Sequence, residues 1–177
     1  NSQTKLWHQL SLQQRNYEAQ VTEQIRPDYS INQKYPNVKS EWEFNSGCTI
    51  GSSAIVKANS VFIGDASGYF YSLSLSDGSV NWKYKTQNAI YSTPAVKCKS
   101  VVFGSVDSSI YCLNSENGNL VWKFKTNAAV LGSPIVEDDI VFIGGSDRTF
   151  FALDLETGKL VWEFKGLNGF VETKPVL

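Results

Sequence analysis

Trp42, Trp82, Trp122 and Trp162 stand 40 residues apart, without slippage across three intervals. A repeat of that length means one small supersecondary unit stacked on copies of itself, so it constrains the fold more tightly than any local propensity does. The same step recurs at Gly64, Gly104 and Gly144, at Leu73, Leu113 and Leu153, at Gly78, Gly118 and Gly158, and at Pro94 and Pro134.

Each unit reads as β throughout. Val61-Phe62-Ile63, Val101-Val102-Phe103 and Val141-Phe142-Ile143 are short apolar runs stopped by Gly, the pattern of strands covered on both faces. Aromatic strands follow at Phe70-Tyr71, Ile110-Tyr111 and Phe150-Phe151. Asp77-Gly78, Asn117-Gly118 and Thr157-Gly158 then precede each Trp strand, and Asp-Gly and Asn-Gly are expected to supply the positive φ of a tight hairpin. A further strand opens each unit, over 50–56, 90–96 and 130–136. Four strands of about six residues with connections of about four account for a 40-residue period and leave no room for a helix. The expected fold is therefore all-β, made of four-stranded antiparallel β-propeller blades.

Three complete blades are expected, over 51–84, 91–124 and 131–164, within a repeat region of 41–177. A lone Trp strand around 41–44 and a partial strand over 170–176 flank them. Closed propellers have typically four to eight blades, so the open faces call for remaining blades of a parent chain, a protein partner or self-association. The chain starts at Asn1 and contains no Met, which reads as a piece or processed form of a longer protein.

On the Trp strands, Trp82 and Tyr84 alternate with Lys83 and Lys85, so the aromatics share one face and the lysines the other. Trp122 with Phe124 and Trp162 with Phe164 repeat the pattern. A buried Trp removes about 150–250 Å² from water, so the four tryptophans are read as inter-blade docking residues, with Gly78, Gly118 and Gly158 as the repeat glycines of the same joints. The lysines are read as a solvated rim.

WD40 and kelch repeats do not fit, since the single histidine, His8, precedes the repeats and no Trp is followed by Asp. The units resemble the pyrroloquinoline-quinone-like (PQQ-like) propeller repeat family, whose docking motif is Ala-x-Asp-x-x-Thr-Gly-Lys-x-x-Trp. Ala152, Asp154, Thr157, Gly158, Lys159 and Trp162 match it at every defined position. The stretches 72–82 and 112–122 keep the Leu, Gly and Trp and lose the Ala, Asp and Lys. The resemblance covers residues 38–177 and implies a periplasmic or secreted location.

Residues 1–40 lie outside the repeat. Ser11-Leu12-Gln13-Gln14 has capping-box form, and Leu10, Tyr17, Val21 and Ile25 follow helical spacing up to Arg26-Pro27. A helix and then a Pro-punctuated linker are expected. This leader is similar to joins in metallophosphoesterase-like proteins that carry such a propeller at their C-terminal end.

Chemical motifs are sparse. Sixteen Lys and Arg against seventeen Asp and Glu leave a net charge of −1, which disfavours a nucleic-acid partner, and no apolar run is long enough to span a membrane. Cys48, Cys98 and Cys112 show no metal or redox spacing: Cys112 takes the slot of Ser72 and Ala152, and Cys98 falls in a hairpin loop between two lysines. Glu137-Asp138-Asp139 is expected in a turn, as are Asp107 and Asp147, which align with Ser67. No catalytic, cofactor-binding or metal-binding residue is assigned. Three functional readings follow. The first is a non-catalytic interaction or scaffolding propeller, similar to the propeller lipoprotein of the outer-membrane barrel-assembly machinery. The second is an accessory C-terminal domain of an extracytoplasmic hydrolase. The third, implied by the resemblance alone, is part of a quinoprotein dehydrogenase that binds pyrroloquinoline quinone.

Overall fold

The computed structural model describes residues 40–166, 169 and 175. The chain divides into two compact units, Asn1–Glu41 and Trp42–Leu177, and the fold below is that of the second. The expected leader helix and linker, and all of the expected strand over 170–176 except Pro175, lie outside the described residues.

Twelve strands among the described residues form three four-stranded antiparallel sheets, each in simple sequence order. The first blade holds β1 (Ile55–Lys57), β2 (Ser60–Gly64), β3 (Tyr69–Ser74) and β4 (Val80–Lys85). Blade two holds β5 (Ala95–Lys97), β6 (Ser100–Ser105), β7 (Ser109–Asn114) and β8 (Leu120–Lys125). Blade three holds β9 (Ile135–Glu137), β10 (Ile140–Gly144), β11 (Phe150–Asp154) and β12 (Leu160–Phe164). Register repeats as faithfully as sequence: Ser72 pairs with Trp82, Cys112 with Trp122 and Ala152 with Trp162, and a bulge follows each pair. A bulge at one repeat position bends the last two strands of every blade in the same way.

Short first strands lie side by side, β1 against β5 and β5 against β9. Hydroxyls set their spacing across one repeat, with the Ser53 N–H donating to Thr93 Oγ1 at 3.2 Å and the Thr93 N–H to Ser133 Oγ at 2.9 Å. The core sits between sheets. Val61, Tyr71 and Leu73 pack under Trp42 and Phe44. Blades one and two enclose Phe62, Phe70, Ile90, Val101, Phe103, Tyr111 and Leu113. Blades two and three enclose a third cluster that includes Ile110, Cys112, Trp122, Val130, Ile143, Phe151 and Leu155. The rings of Phe70 and Phe103 stack across a joint at 4.1 Å and 4°. No blade has an interior of its own, which is why the repeat must stack.

Three local expectations need correction. Residues 42–46 form no strand: they are extended coil, because Trp42 and Phe44 lie on the face of the first sheet, where no strand edge is offered for a ladder. The opening strand of each blade has only three residues; β5 begins directly after Pro94 and β9 directly after Pro134, where proline cannot donate to a ladder, and β1 begins after Ala54. The turns before the Trp strands are not two-residue hairpins. Gly78, Gly118 and Gly158 alone take positive φ there, and each closes a wider turn by donating its N–H to the carbonyl of residue 74, 114 or 154. Two-residue hairpins occur instead between the first two strands of each blade, where Ala58, Cys98, Asp138 and Asp139 carry the positive φ. Of the acidic run, Asp138 and Asp139 are thus turn chemistry, while Glu137 ends β9 paired with Ile140.

Candidate functional site

The wide turns are built to receive a tryptophan from the preceding blade. Trp82 lies so close over Gly118 that a Cβ there would stand 2.6 Å from its ring, and Trp122 covers Gly158 at 2.5 Å by the same measure. With φ near +74° and +68°, both positions need glycine for conformation as well as for room. The indole N–H then donates to the carbonyl three residues earlier: Trp42 to Leu75 at 2.9 Å, Trp82 to Ser115 at 3.1 Å and Trp122 to Leu155 at 2.8 Å. Each turn is a two-point receptor, a bare glycine for the ring face and a carbonyl for the ring N–H. Trp42 makes the same contact on Gly78 from the coil that precedes blade one.

Trp162 stands apart from the other three. Trp122 is 8% exposed, whereas Trp162 is 45% and Phe164 56% exposed, and no glycine turn lies over Trp162 among the described residues. Leu160 and Val161 are exposed on the same strand. The ring cluster beneath is nevertheless assembled. Phe142 and Phe150 meet Trp162 at centroid distances of 5.9 and 6.1 Å with tilts of 47° and 35°. In the covered joint Phe62 and Phe70 meet Trp82 at 5.9 and 6.1 Å with tilts of 46° and 30°. Blade three therefore presents a preformed, uncovered donor half of a joint. This edge is the candidate functional site.

Buried carboxylates are the feature that sequence reasoning missed. Asp65 is fully buried and accepts from the Tyr71 hydroxyl at 3.0 Å, from Ser67 Oγ at 2.7 Å and from the Tyr69 N–H at 2.9 Å. In blade two the same role falls to Asp107, which accepts from the Tyr111 hydroxyl at 2.5 Å and the Gln87 N–H at 3.1 Å. Burial first, then the bond to Asp65 and its charge, push the Tyr71 phenol up to about 12. Burial and Asp107 push Tyr111 higher still. In blade three Phe151 replaces the tyrosine, and Asp147 Oδ2 is left buried without a hydrogen-bond partner. The contrast of Tyr71 and Tyr111 with Phe151 was visible in the repeat, but it points to the acids only once the acids are known to be buried.

The remaining residues singled out from sequence are not gathered into a site. Cys48 and Cys98 are exposed and Cys112 is buried, its thiol pushed up to about 11 by desolvation. The lysine row is occupied locally: Lys83 and Lys85 lie over the Tyr69 ring, Lys123 over Tyr111, Lys85 donates to the Ser67 carbonyl and Lys125 to that of Asp107. A cleft of about 410 Å³ opens between blades one and two, over Ser60, Ser72 and Asn81. It exists because Ser115 stands where blade three has Leu155, a leucine that fills the next joint. Among the described residues no three His, Cys, Asp or Glu side chains converge as metal ligands.

A family profile described as outer membrane protein assembly factor BamB matches residues 85–172, that is, blades two and three with their joint. These blades are PQQ-like propeller repeats. Among solved structures, BamB from Moraxella catarrhalis is similar at a TM-score of 0.64 and 24% identity, over 71% of this chain and 39% of that one. A quinohemoprotein alcohol dehydrogenase from Pseudomonas putida HK5 is similar at a TM-score of 0.63 and 24% identity, over 71% of this chain and 22% of that one. The computationally designed Ika4 protein matches at 0.70 and 19% identity, over 77% of this chain and 85% of that one. The chain thus spans well under half of the BamB chain, and these likenesses concern the fold. No curated protein matches. No helix among the described residues is long and apolar enough to cross a membrane.

Proposed function

We propose that the PQQ-like repeats serve as a non-catalytic interaction module that engages protein through the exposed edge of blade three. The carrying observation is the Trp162 face: an aromatic cluster in docked geometry, with Trp162 and Phe164 exposed where Trp122 of the covered joint is buried and Phe124 partly buried. Contiguous apolar surface of this kind marks an association site. The protein partner is a surface of blade-like chemistry, whether remaining blades of a parent chain, another protein or a second copy. The likeness to BamB supports this reading and, with it, an extracytoplasmic location. The proposed mode of action needs no cofactor.

Two measurements test the proposal. Photo-crosslinking from position 164 in extracytoplasmic extract is expected to trap a defined protein, and Trp162→Arg is expected to abolish that adduct while the circular dichroism stays unchanged. Titration with pyrroloquinoline quinone and calcium is expected to show no saturable binding. Micromolar quinone affinity, or crosslinking indifferent to Trp162→Arg, overturns the reading.

A further inference from the structure

We propose that the cleft between blades one and two is a binding site for a small neutral polyhydroxyl ligand, a monosaccharide or a polyol. It lies between two complete blades, apart from the blade-three edge.

The repeat shows what makes this joint different. Ser60, Ser72 and Asn81 of blade one and Ser115 of blade two line the cleft. In the next joint the same repeat slots hold Ser100, Cys112, Val121 and Leu155. Three of the four polar positions are apolar there, and Cys112 and Leu155 are buried in one cluster. Blade three repeats the apolar choice, with Ile140, Ala152 and Val161 in the slots of Ser60, Ser72 and Asn81. Polar groups in slots that tolerate apolar ones bring a desolvation cost unless something satisfies them.

The chain itself satisfies them only in part. Ser72 is 1% exposed, and its Oγ accepts from Asn81 Nδ2 at 3.3 Å. Among the described residues the Ser72 hydroxyl donates to no acceptor of its own. Ser60 Oγ accepts from the same nitrogen at 3.4 Å, so both contacts exceed the roughly 2.7–3.2 Å of a good N–H···O bond. Asn81 Oδ1 accepts no hydrogen bond among the described residues. A buried hydroxyl proton and a carboxamide oxygen are therefore free at the wall of one cavity.

The lining selects the ligand chemistry. Asn81 sets a donor and an acceptor side by side, the pair that two neighbouring hydroxyls satisfy together, and the serine hydroxyls both give and take. Fixed charge is kept to the rim: Lys57 is exposed, and the Glu116 carboxylate is held by Lys99 at 3.1 and 3.2 Å. Phe62 and Val96 supply an apolar wall for the C–H face of a sugar ring. The volume, about 410 Å³, falls within the roughly 300–1,000 Å³ of small-molecule sites.

Cys98 borders the cleft and Cys48 is exposed away from it, so alkylation by iodoacetamide reports occupancy with a control in the same chain. The full 177-residue chain is alkylated with glucose, galactose, N-acetylglucosamine or glycerol present, and with glucose 6-phosphate and gluconate as charged counterparts. Peptide mass spectrometry gives the rate at each cysteine. At least one neutral probe is expected to slow Cys98 saturably by about threefold or more, half-maximal at about 1–10 mM, with Cys48 unaffected. Ser72→Ala and Asn81→Val, which copy blade three, and Ser115→Leu, which fills the cleft as Leu155 fills the next joint, are each expected to abolish that protection with native circular dichroism. Failure of all four neutral probes overturns the proposal, as does equal slowing of Cys48 or protection that survives the three substitutions. Stronger protection by the charged counterparts overturns the neutral class. None of these results bears on the crosslinking from position 164, so the two readings fail separately.

Discussion

Phe151→Tyr is expected to stabilise the chain, an unusual direction for a change in a core cluster. The three blades supply the comparison. Tyr71 and Tyr111 reach Asp65 and Asp107, while Phe151 leaves Asp147 Oδ2 buried and unpartnered. Room for the hydroxyl is indicated by the ring positions: Phe44 on Tyr71, Tyr84 on Tyr111 and Phe124 on Phe151 make edge contacts at 5.0, 5.9 and 5.6 Å. A hydrogen bond to a charged acceptor contributes about 1.5–3 kcal/mol. Desolvating the new hydroxyl takes back roughly 1 kcal/mol. The net gain is about 0.5–2 kcal/mol, which for a chain of this size raises Tm by about 1–8 °C. Urea unfolding followed by circular dichroism measures it, and the cycle with Asp147→Ala isolates the pair. A neutral or destabilising Phe151→Tyr, or a gain that persists in the Asp147→Ala background, refutes the reasoning.

Trp122→Ala is expected to cost about 3–5 kcal/mol, and Trp162→Ala, whose ring is already 45% exposed, only about 1–2 kcal/mol, although sequence places both in one repeat slot; urea midpoints compare them. Gly158→Ala forces a left-handed residue and displaces the Trp122 ring, so a loss of about 2–4 kcal/mol is expected, with red-shifted tryptophan fluorescence. Alkali is expected to unfold the chain early. The Tyr71 phenol is raised from its ordinary value of about 10 to about 12, so its contribution is complete below pH 10 and is lost as pH rises through 12; Cys112, raised to about 11, acts the same way about one unit lower. Tyr71→Phe flattens that loss in a pH series of Tm values, and an unchanged slope counts against the assignment.

Period and strand order were legible in the sequence, because a repeat prints the same physical demand several times. A ring must lie flat on each turn, so a Trp and a Gly recur at a constant offset, and the alternation Trp82, Lys83, Tyr84, Lys85 separates buried from solvated faces. The turn geometry was less legible. Asp77-Gly78 reads as a tight hairpin, and only the bulge after Ser72, together with the bond from the Gly78 N–H to the Ser74 carbonyl, widens it.

What tertiary structure alone decided is how equivalent positions came to differ. Blade one takes its carboxylate from Asp65, while blades two and three take theirs from Asp107 and Asp147, two positions further along the repeat. No periodicity relates the two placements, because the phenol senses where the oxygen ends and not which residue bears it. Likewise Trp42, Trp82, Trp122 and Trp162 are one pattern in sequence and two environments in space, three docked on a glycine turn and one exposed. Burial belongs to the surface that arrives opposite a side chain, and that surface is supplied by a different blade.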